Sequence, residues 1–364
     1  MRIALAEKLL VKIMNWSSEE ISQERPLLQA LSNLKYDEYL NFSSGSRFIE
    51  SLVKWLDQFI EPDEKRIAYT FIKERLIFFS SDQISHLVNI TFNDKINPVL
   101  IEKTAAKLKI NPYFVNRITD SEEYKDTLRR SLFIGLSDGS RIDQLRRASA
   151  INNEQVLLTY DVSKEKTNDM LRELKKSGYA GKFSSIFLID DFTASGISYF
   201  RFDEKSKNWK GKINKTIASI IDNNSGNLHN LVNEFETIKI HIIFYIATEE
   251  AVKKLDDNIN LWKQKFNYVF DFDIDVVQLI SNDNKEQILS DDDFTKLSKK
   301  YFDERIIDRH YKEGIHSRPY LGFNECALPI VLSHNTPNNS LTILWLPEDM
   351  KYTGLFPRVS RHKE

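Results

Sequence analysis

In the segment SSIFLIDDFTASGISYF an apolar run ends in two acids, Asp190 and Asp191, and a short stretch of small hydroxylated residues with one glycine follows. Ionised carboxylates only accept hydrogen bonds, so this pair suits two sugar hydroxyls or a hydrated Mg²⁺, which makes both residues candidates for catalysis and for metal binding. Behind them, Thr193, Ala194, Ser195, Gly196, Ile197 and Ser198 are expected to aim consecutive backbone N–H groups at one point. Gly196 permits close approach there, and the hydroxyls of Ser195 and Ser198 add donors. Strand, acid pair, small loop and helix, in that order, make a phosphate site. Hydrogen bonds to a charged group contribute about 1.5–3 kcal/mol each, so a handful of such donors outweighs the cost of association and leaves micromolar binding. The same pattern also fits a plainer arrangement in which the acids cap a helix and the small residues make a tight turn.

Two other polar segments follow apolar runs. In LSDGSRIDQLRRAS, Ser137 to Ser140 form a loop expected on the same sheet edge as the acid pair. Its Gly and Ser residues suit an anion turn, and Arg141, Arg146 and Arg147 stand close enough in sequence to neutralise a pyrophosphate. The arginines equally fit the solvent face of an amphipathic helix. In HNTPNN, Asn335, Asn338 and Asn339 carry donors and acceptors that suit a base edge or a ribose, and His334 can act as acid or base near neutral pH. Asx-turns with Pro337 would make the same loop a self-stapled one. Trp345 reads as core, and Arg358 as either an ion-pair partner or a pocket residue. The acid-rich FDFDID and SDDDF runs are explained by strand alternation and by helix N-capping. No HExxH, CxxC, Walker A lysine or GxSxG elbow occurs, which removes the sequence basis for zinc hydrolysis, P-loop ATP hydrolysis and serine esterase chemistry.

The elements that must position these groups fall into two grammars. FIESLVKWLDQFI and RIAYTFIKERLIFF repeat large apolar residues at helical spacing, so residues 1–125 are expected to form an all-α domain. Within it, EKTAAKLKINPYFVNRI has a helix-turn-helix cadence, with a second helix near Pro112 and with Lys103, Lys107, Lys109 and Arg117 as candidate DNA contacts. That basic face is no stronger than an ordinary solvated one. Residues 126–364 alternate apolar runs with amphipathic helices. SLFIGL, SIFLID, IKIHIIFYIA, VFDFDIDVVQLI, ALPIVLS and LTILW are expected strands. The intervening segments, including one N-capped by Ser163 and ending near Gly178, are expected helices. This order predicts an α/β domain with a mainly parallel sheet flanked by helices, which binds ligands at the carboxyl ends of its strands.

At 364 residues, with 41% hydrophobic and 29% charged residues, the chain has the balance of a soluble globular protein of two domains. A net charge of -2 gives no global attraction to nucleic acid. The amino-terminal MRIALAEKLLVKIMNW interleaves charges with apolar residues, unlike a signal peptide, and no run is long enough to span a membrane, so a cytoplasmic location is expected. The one cysteine, Cys326, excludes an internal disulfide and reads as an inert buried thiol.

IFLIDDFTASGIS resembles the phosphoribosyl-pyrophosphate loop of type I phosphoribosyltransferases. The chain is more closely similar to the phosphoribosyltransferase-like family of bacterial conflict systems, which includes retron-associated effectors. LSDGSRID, SHNTPNNSLTILW, LFPR and the helical FIESLVKWLDQF carry that likeness over roughly residues 40–364. The resemblance implies that Asp190 and Asp191 hold ribose hydroxyls, that Ala194 to Ser198 hold the 5'-phosphate, and that Asp138, Gly139, Ser140 and Arg141 bind pyrophosphate. It also implies phosphoribosyl pyrophosphate or a nucleotide as ligand, Mg²⁺ as cofactor, and an antiphage role. The partner would then be a retron reverse transcriptase with its RNA/DNA, or another defence protein. Ala194 departs from the pattern, because the purine-salvage enzymes carry a general-base aspartate there. The chain is therefore expected to be an effector acting on a phosphoribosyl or nucleotide substrate. The alternatives are a non-catalytic sensor signalling to DNA or a partner, and a scaffold with a vestigial pocket.

Overall fold

The computed structural model describes residues 3–39, 47–179, 181–222, 224–232, 238–266, 270–308, 311–314 and 317–358. Two compact units result. Met1–Ile84 joins Ser281–Glu364 in a discontinuous unit, and Ser85–Ile280 forms a continuous sheet unit. This division does not coincide with the break expected between 125 and 126.

The sheet unit is built on five parallel strands in the order Val156–Leu157, Ser131–Gly135, Ser185–Thr193, Ile238–Thr248, Phe270–Ile280. Ile186, Phe187, Leu188 and Ile189 of the central strand are wholly buried, as an unbroken apolar run covered on both faces requires. The edge strand instead alternates. Phe270, Phe272, Ile274 and Val276 pack on the core, while Asp273 and Asp275 pair with Lys239 at 2.9 Å and with Lys95 at 3.5 Å. Helix Lys164–Lys176 is capped by Ser163, whose hydroxyl accepts from Lys166 N–H at 3.2 Å, and Gly178 just beyond its end has φ +85°.

Helix Asn97–Leu108 and the five-residue helix Val115–Thr119 belong to this unit rather than to an amino-terminal domain. Lys103 of the first donates to Ser185 Oγ at 2.6 Å and Lys107 to Thr127 Oγ1 at 2.9 Å, so two of the four basic residues picked out for DNA contact are bonded within the unit.

In the discontinuous unit, helices Ile3–Met14, Ser18–Leu34, Phe48–Asp57 and Pro62–Glu74 share a core with residues from the far end of the chain. Phe71 stacks on Phe294 at 4.2 Å, and Trp55 Nε1–H donates to the Ile343 carbonyl at 2.9 Å. Two sequence expectations are corrected here. The end of RIAYTFIKERLIFF is a strand, Ile77–Phe79, which pairs in parallel with Ile330–Leu332 outside the main sheet, so the amino-terminal region is not purely α. LTILW is a helical turn, Thr342–Trp345, not a strand. Its residues are all buried, and Trp345 Nε1–H donates to the Ser340 carbonyl at 2.8 Å; a short apolar run buried on every side carries no period to separate strand from helix.

Candidate functional site

The central strand runs on past the acid pair. Ile189 makes its last pairing with the Ser131–Gly135 strand, opposite Gly135, whereas on the other side Phe192 and Thr193 still pair with Ile246 and Ala247. Asp190 and Asp191 therefore lie on a strand open on one flank, beside the loop that begins at Ser137. Neighbouring strand residues point to opposite faces, so the two acids meet different surroundings.

Asp190 has no exposed surface. Its Oδ1 accepts from the Ser137 hydroxyl and from Asp191 N–H, the latter at 3.1 Å, and its Oδ2 accepts from Tyr199 OH and Lys212 Nζ, both at 2.8 Å. Burial, and then the Asp191 charge, raise its pKa above the usual carboxylate range, while Lys212 and Ser137 pull it down. Four donors fill the acceptor capacity of a carboxylate, so Asp190 has no position left for ribose hydroxyls or for a metal.

Asp191 is half-buried, and its Oδ1 accepts from Phe192 N–H at 2.8 Å. The other side of the carboxylate lies against Gly139: a Cβ on Gly139 would stand 2.4 Å from Asp191 Oδ2. The glycine thus makes room for the acid. Ser140 is buried and its carbonyl accepts from Tyr245 OH at 2.7 Å, Asp138 is exposed, and Arg141 takes a left-handed conformation at φ +44°. Arg147 is exposed and paired with Asp143, as a helix surface residue would be.

After Thr193 the chain makes a turn, not the helix expected to follow the small residues. It then forms a hairpin, Arg201–Asp203 with Asn208–Lys210, and only afterwards helix Lys212–Ile221. Thr248 Oγ1–H holds the Ala194 carbonyl at 2.7 Å, and Gly196 N–H donates to Thr193 Oγ1 at 3.3 Å. Gly196, at φ +69°, backs onto Ala251 O and Leu255, not onto an open cradle. Among the described residues, the N–H groups of Ser195, Ile197 and Ser198 donate to no protein acceptor. The carbonyls of Ser198 and Tyr199 accept from Lys212 and Ile213 N–H at 3.3 and 2.9 Å, so the turn caps the later helix.

His334, Asn335, Asn338 and Asn339 belong to the discontinuous unit. Asn339 is buried and donates to the Phe323 carbonyl and Cys326 Sγ, both at 3.3 Å, and Thr336 bonds Tyr39 OH at 2.8 Å. Asn335 closes a tight turn with Leu332 in both directions, at 3.0 and 3.1 Å. Much of this loop is thus stapled internally. Arg358 lies over the Trp345 ring, 5.5 Å from its centroid.

Sequence reasoning missed Tyr199 and Lys212, which stand 9 and 22 residues beyond Asp190. No short motif spans such distances. Thr248 was within reach: a threonine between an apolar run and Glu249–Glu250 is an N-cap signature.

A five-stranded parallel sheet flanked by helices, with acids and a small-residue turn at the carboxyl end of its central strand, defines a phosphoribosyltransferase-like α/β protein. The chain belongs to the PRTase-CE family, which it matches over residues 52–358. No curated protein and no solved structure matches it. Among the described residues no helix is long and apolar enough to cross a membrane.

Proposed function

We propose that the sheet unit binds a phosphorylated ribose, as phosphoribosyl pyrophosphate or a nucleotide, at the carboxyl end of its central strand. Asp191 accepts from the ribose hydroxyls, and the turn Thr193 to Ser198 takes the 5'-phosphate through the N–H groups of Ser195, Ile197 and Ser198. The loop Asp138, Gly139, Ser140 and Arg141 faces the pyrophosphate. The observation that carries this reading is the unspent row of N–H groups in a turn adjoining an acid that a glycine accommodates. Asp190 has an organising part, holding Ser137, Tyr199 and Lys212 around the site.

Binding without turnover is favoured over catalysis by two features: Asp190 is fully committed to internal donors, and Ala194 is a buried methyl with no base to offer. The antiphage role and a retron reverse transcriptase or other defence protein as partner rest on sequence resemblance alone. Plaque counts on cells with and without the gene test them.

Calorimetry with ribose 5-phosphate tests the site, using Gly139→Ala. The three atoms nearest the added methyl all belong to the half-buried Asp191 carboxylate, at a side-chain end, so the melting temperature should stay within about 2 °C while the displaced acid weakens binding about tenfold or more. Equal affinity in the variant overturns the placement. Mass spectrometry of the same mixtures separates sensor from enzyme, since a sensor returns its ligand unchanged.

A further inference from the structure

We propose that Lys212 is the resident cation of this site, doing for the acid pair and for an anionic ligand what a divalent metal would do, so that ribose 5-phosphate binds without Mg²⁺. This rests on the ribose-phosphate reading above and deepens it.

The carboxylate geometry is the first support. A metal ion held by both acids must take an Asp190 oxygen, yet each oxygen of that wholly buried group already has two donors, one of them an ammonium. Among the described residues no three His, Cys, Asp or Glu side chains converge to hold a metal. A divalent ion wants oxygen ligands and keeps several waters, whereas Asp190 has no exposed surface to offer a hydrated ion.

The path of the lysine side chain is the second. Its backbone N–H donates to the Ser198 carbonyl at 3.3 Å and its Nζ ends 2.8 Å from Asp190 Oδ2, so the side chain runs from the phosphate turn to the acid pair. The ammonium lies 4.7 Å from the Tyr199 ring centroid, and about a third of the side chain, 33%, is exposed. Of its three donors, one is spent on Asp190 among the described residues. Gly211 fixes this course. At φ +112° a side chain there is strained, and a Cβ would stand 2.3 Å from the Tyr199 carbonyl oxygen, so only glycine lets the chain deliver Lys212 here.

Charge balance is the third. A phosphate brought to this turn meets the carboxylates of Asp190 and Asp191, and Lys212 is a cation already seated on Asp190.

Calorimetry with ribose 5-phosphate in EDTA and in millimolar Mg²⁺ tests the proposal, alongside Mn²⁺ titration followed by electron paramagnetic resonance. Wild type should bind equally in both buffers and take up no Mn²⁺. Lys212→Ala should lose about tenfold or more in EDTA, and Lys212→Arg should keep most of the affinity. Because a lone buried Asp190 endangers folding, the paired variant Asp190→Asn/Lys212→Met is measured too. It should fold, and should bind ribose 5-phosphate as weakly as Lys212→Ala. Wild-type binding that requires Mg²⁺, or wild-type affinity in either variant lacking the ammonium, overturns this proposal and leaves the site standing. No wild-type binding in either buffer overturns the ribose-phosphate reading and this proposal with it.

Discussion

Asp190 and Asp191 are neighbours in sequence with opposite surroundings, and substitution should separate them. Asp190→Asn replaces an acceptor of four hydrogen bonds with a group that must turn a donor toward Lys212, Tyr199 or Ser137, leaving the ammonium without its counter-charge. Breaking a buried pair of this kind costs roughly 3 kcal/mol or more, whereas Asp191→Asn, at a half-buried position, should cost under about 1 kcal/mol. Urea unfolding of the two variants measures the contrast. Chemical unfolding also reports on His241, which is 2% exposed, stacks on Phe187 at 4.7 Å and has no hydrogen-bond partner for either ring nitrogen among the described residues. Burial lowers its pKa to about 4; Asp273, 3.4 Å from Nδ1, opposes that shift, and Lys239 and Lys103 add to it. A depressed histidine contributes stability that is whole above its unfolded pKa near 6.5 and is lost as pH falls toward 4, up to roughly 3 kcal/mol. His241→Phe should flatten that part of the pH profile. The acid doublet at the carboxyl end of a buried strand was legible in the sequence. Its division of labour was not, because burial of one acid depends on Ser137, Tyr199 and Lys212, which are brought to it only by the completed fold.

The turn after the acid pair shows what element-level reading captures. A strand followed by small residues was legible from composition, but a helix was expected where the chain inserts a hairpin first. Gly211 is the hinge of that insertion. Gly211→Ala forces a strained backbone and sets a methyl 2.3 Å from the Tyr199 carbonyl oxygen, so it should cost at least about 2 kcal/mol and draw Lys212 away from Asp190. Lower thermal stability together with weakened ribose 5-phosphate binding is the expected result; an unchanged melting temperature would contradict this account of the hinge. At Gly196 a side chain would crowd the packing behind the turn, because a Cβ there stands 3.0 Å from Ala251 O and 3.1 Å from Leu255 Cγ. Long amphipathic helices such as Lys164–Lys176 and the alternating edge strand were read correctly, since each shows one clear period over many residues. Thr342–Trp345 shows none.

At the scale of the whole molecule, the break near residue 125 was placed by a charged run, yet the contacts that close the amino-terminal helices come from the last 84 residues, Ser281–Glu364. Nothing local announces such a return of the chain. Phe48, Tyr36 and Tyr39 pack on Phe356, Phe71 stacks on Phe294, Trp55 bonds the Ile343 carbonyl, and Ile77–Phe79 pairs with Ile330–Leu332. A chain ending at residue 125 keeps every amino-terminal helix in sequence but loses all of these partners. Each large apolar side chain that is re-exposed forfeits about 1.5–3 kcal/mol, so a few of them exceed the 5–15 kcal/mol that holds a typical domain together. Residues 1–125 alone should therefore show helical circular dichroism without a cooperative thermal transition, and should be cut by protease within the Phe48–Glu74 region. Adding residues 281–364 in trans should restore a sharp transition. Cooperative melting of residues 1–125 alone would instead mean that the helices close their own core, and that the carboxyl-terminal segment is an accessory to it.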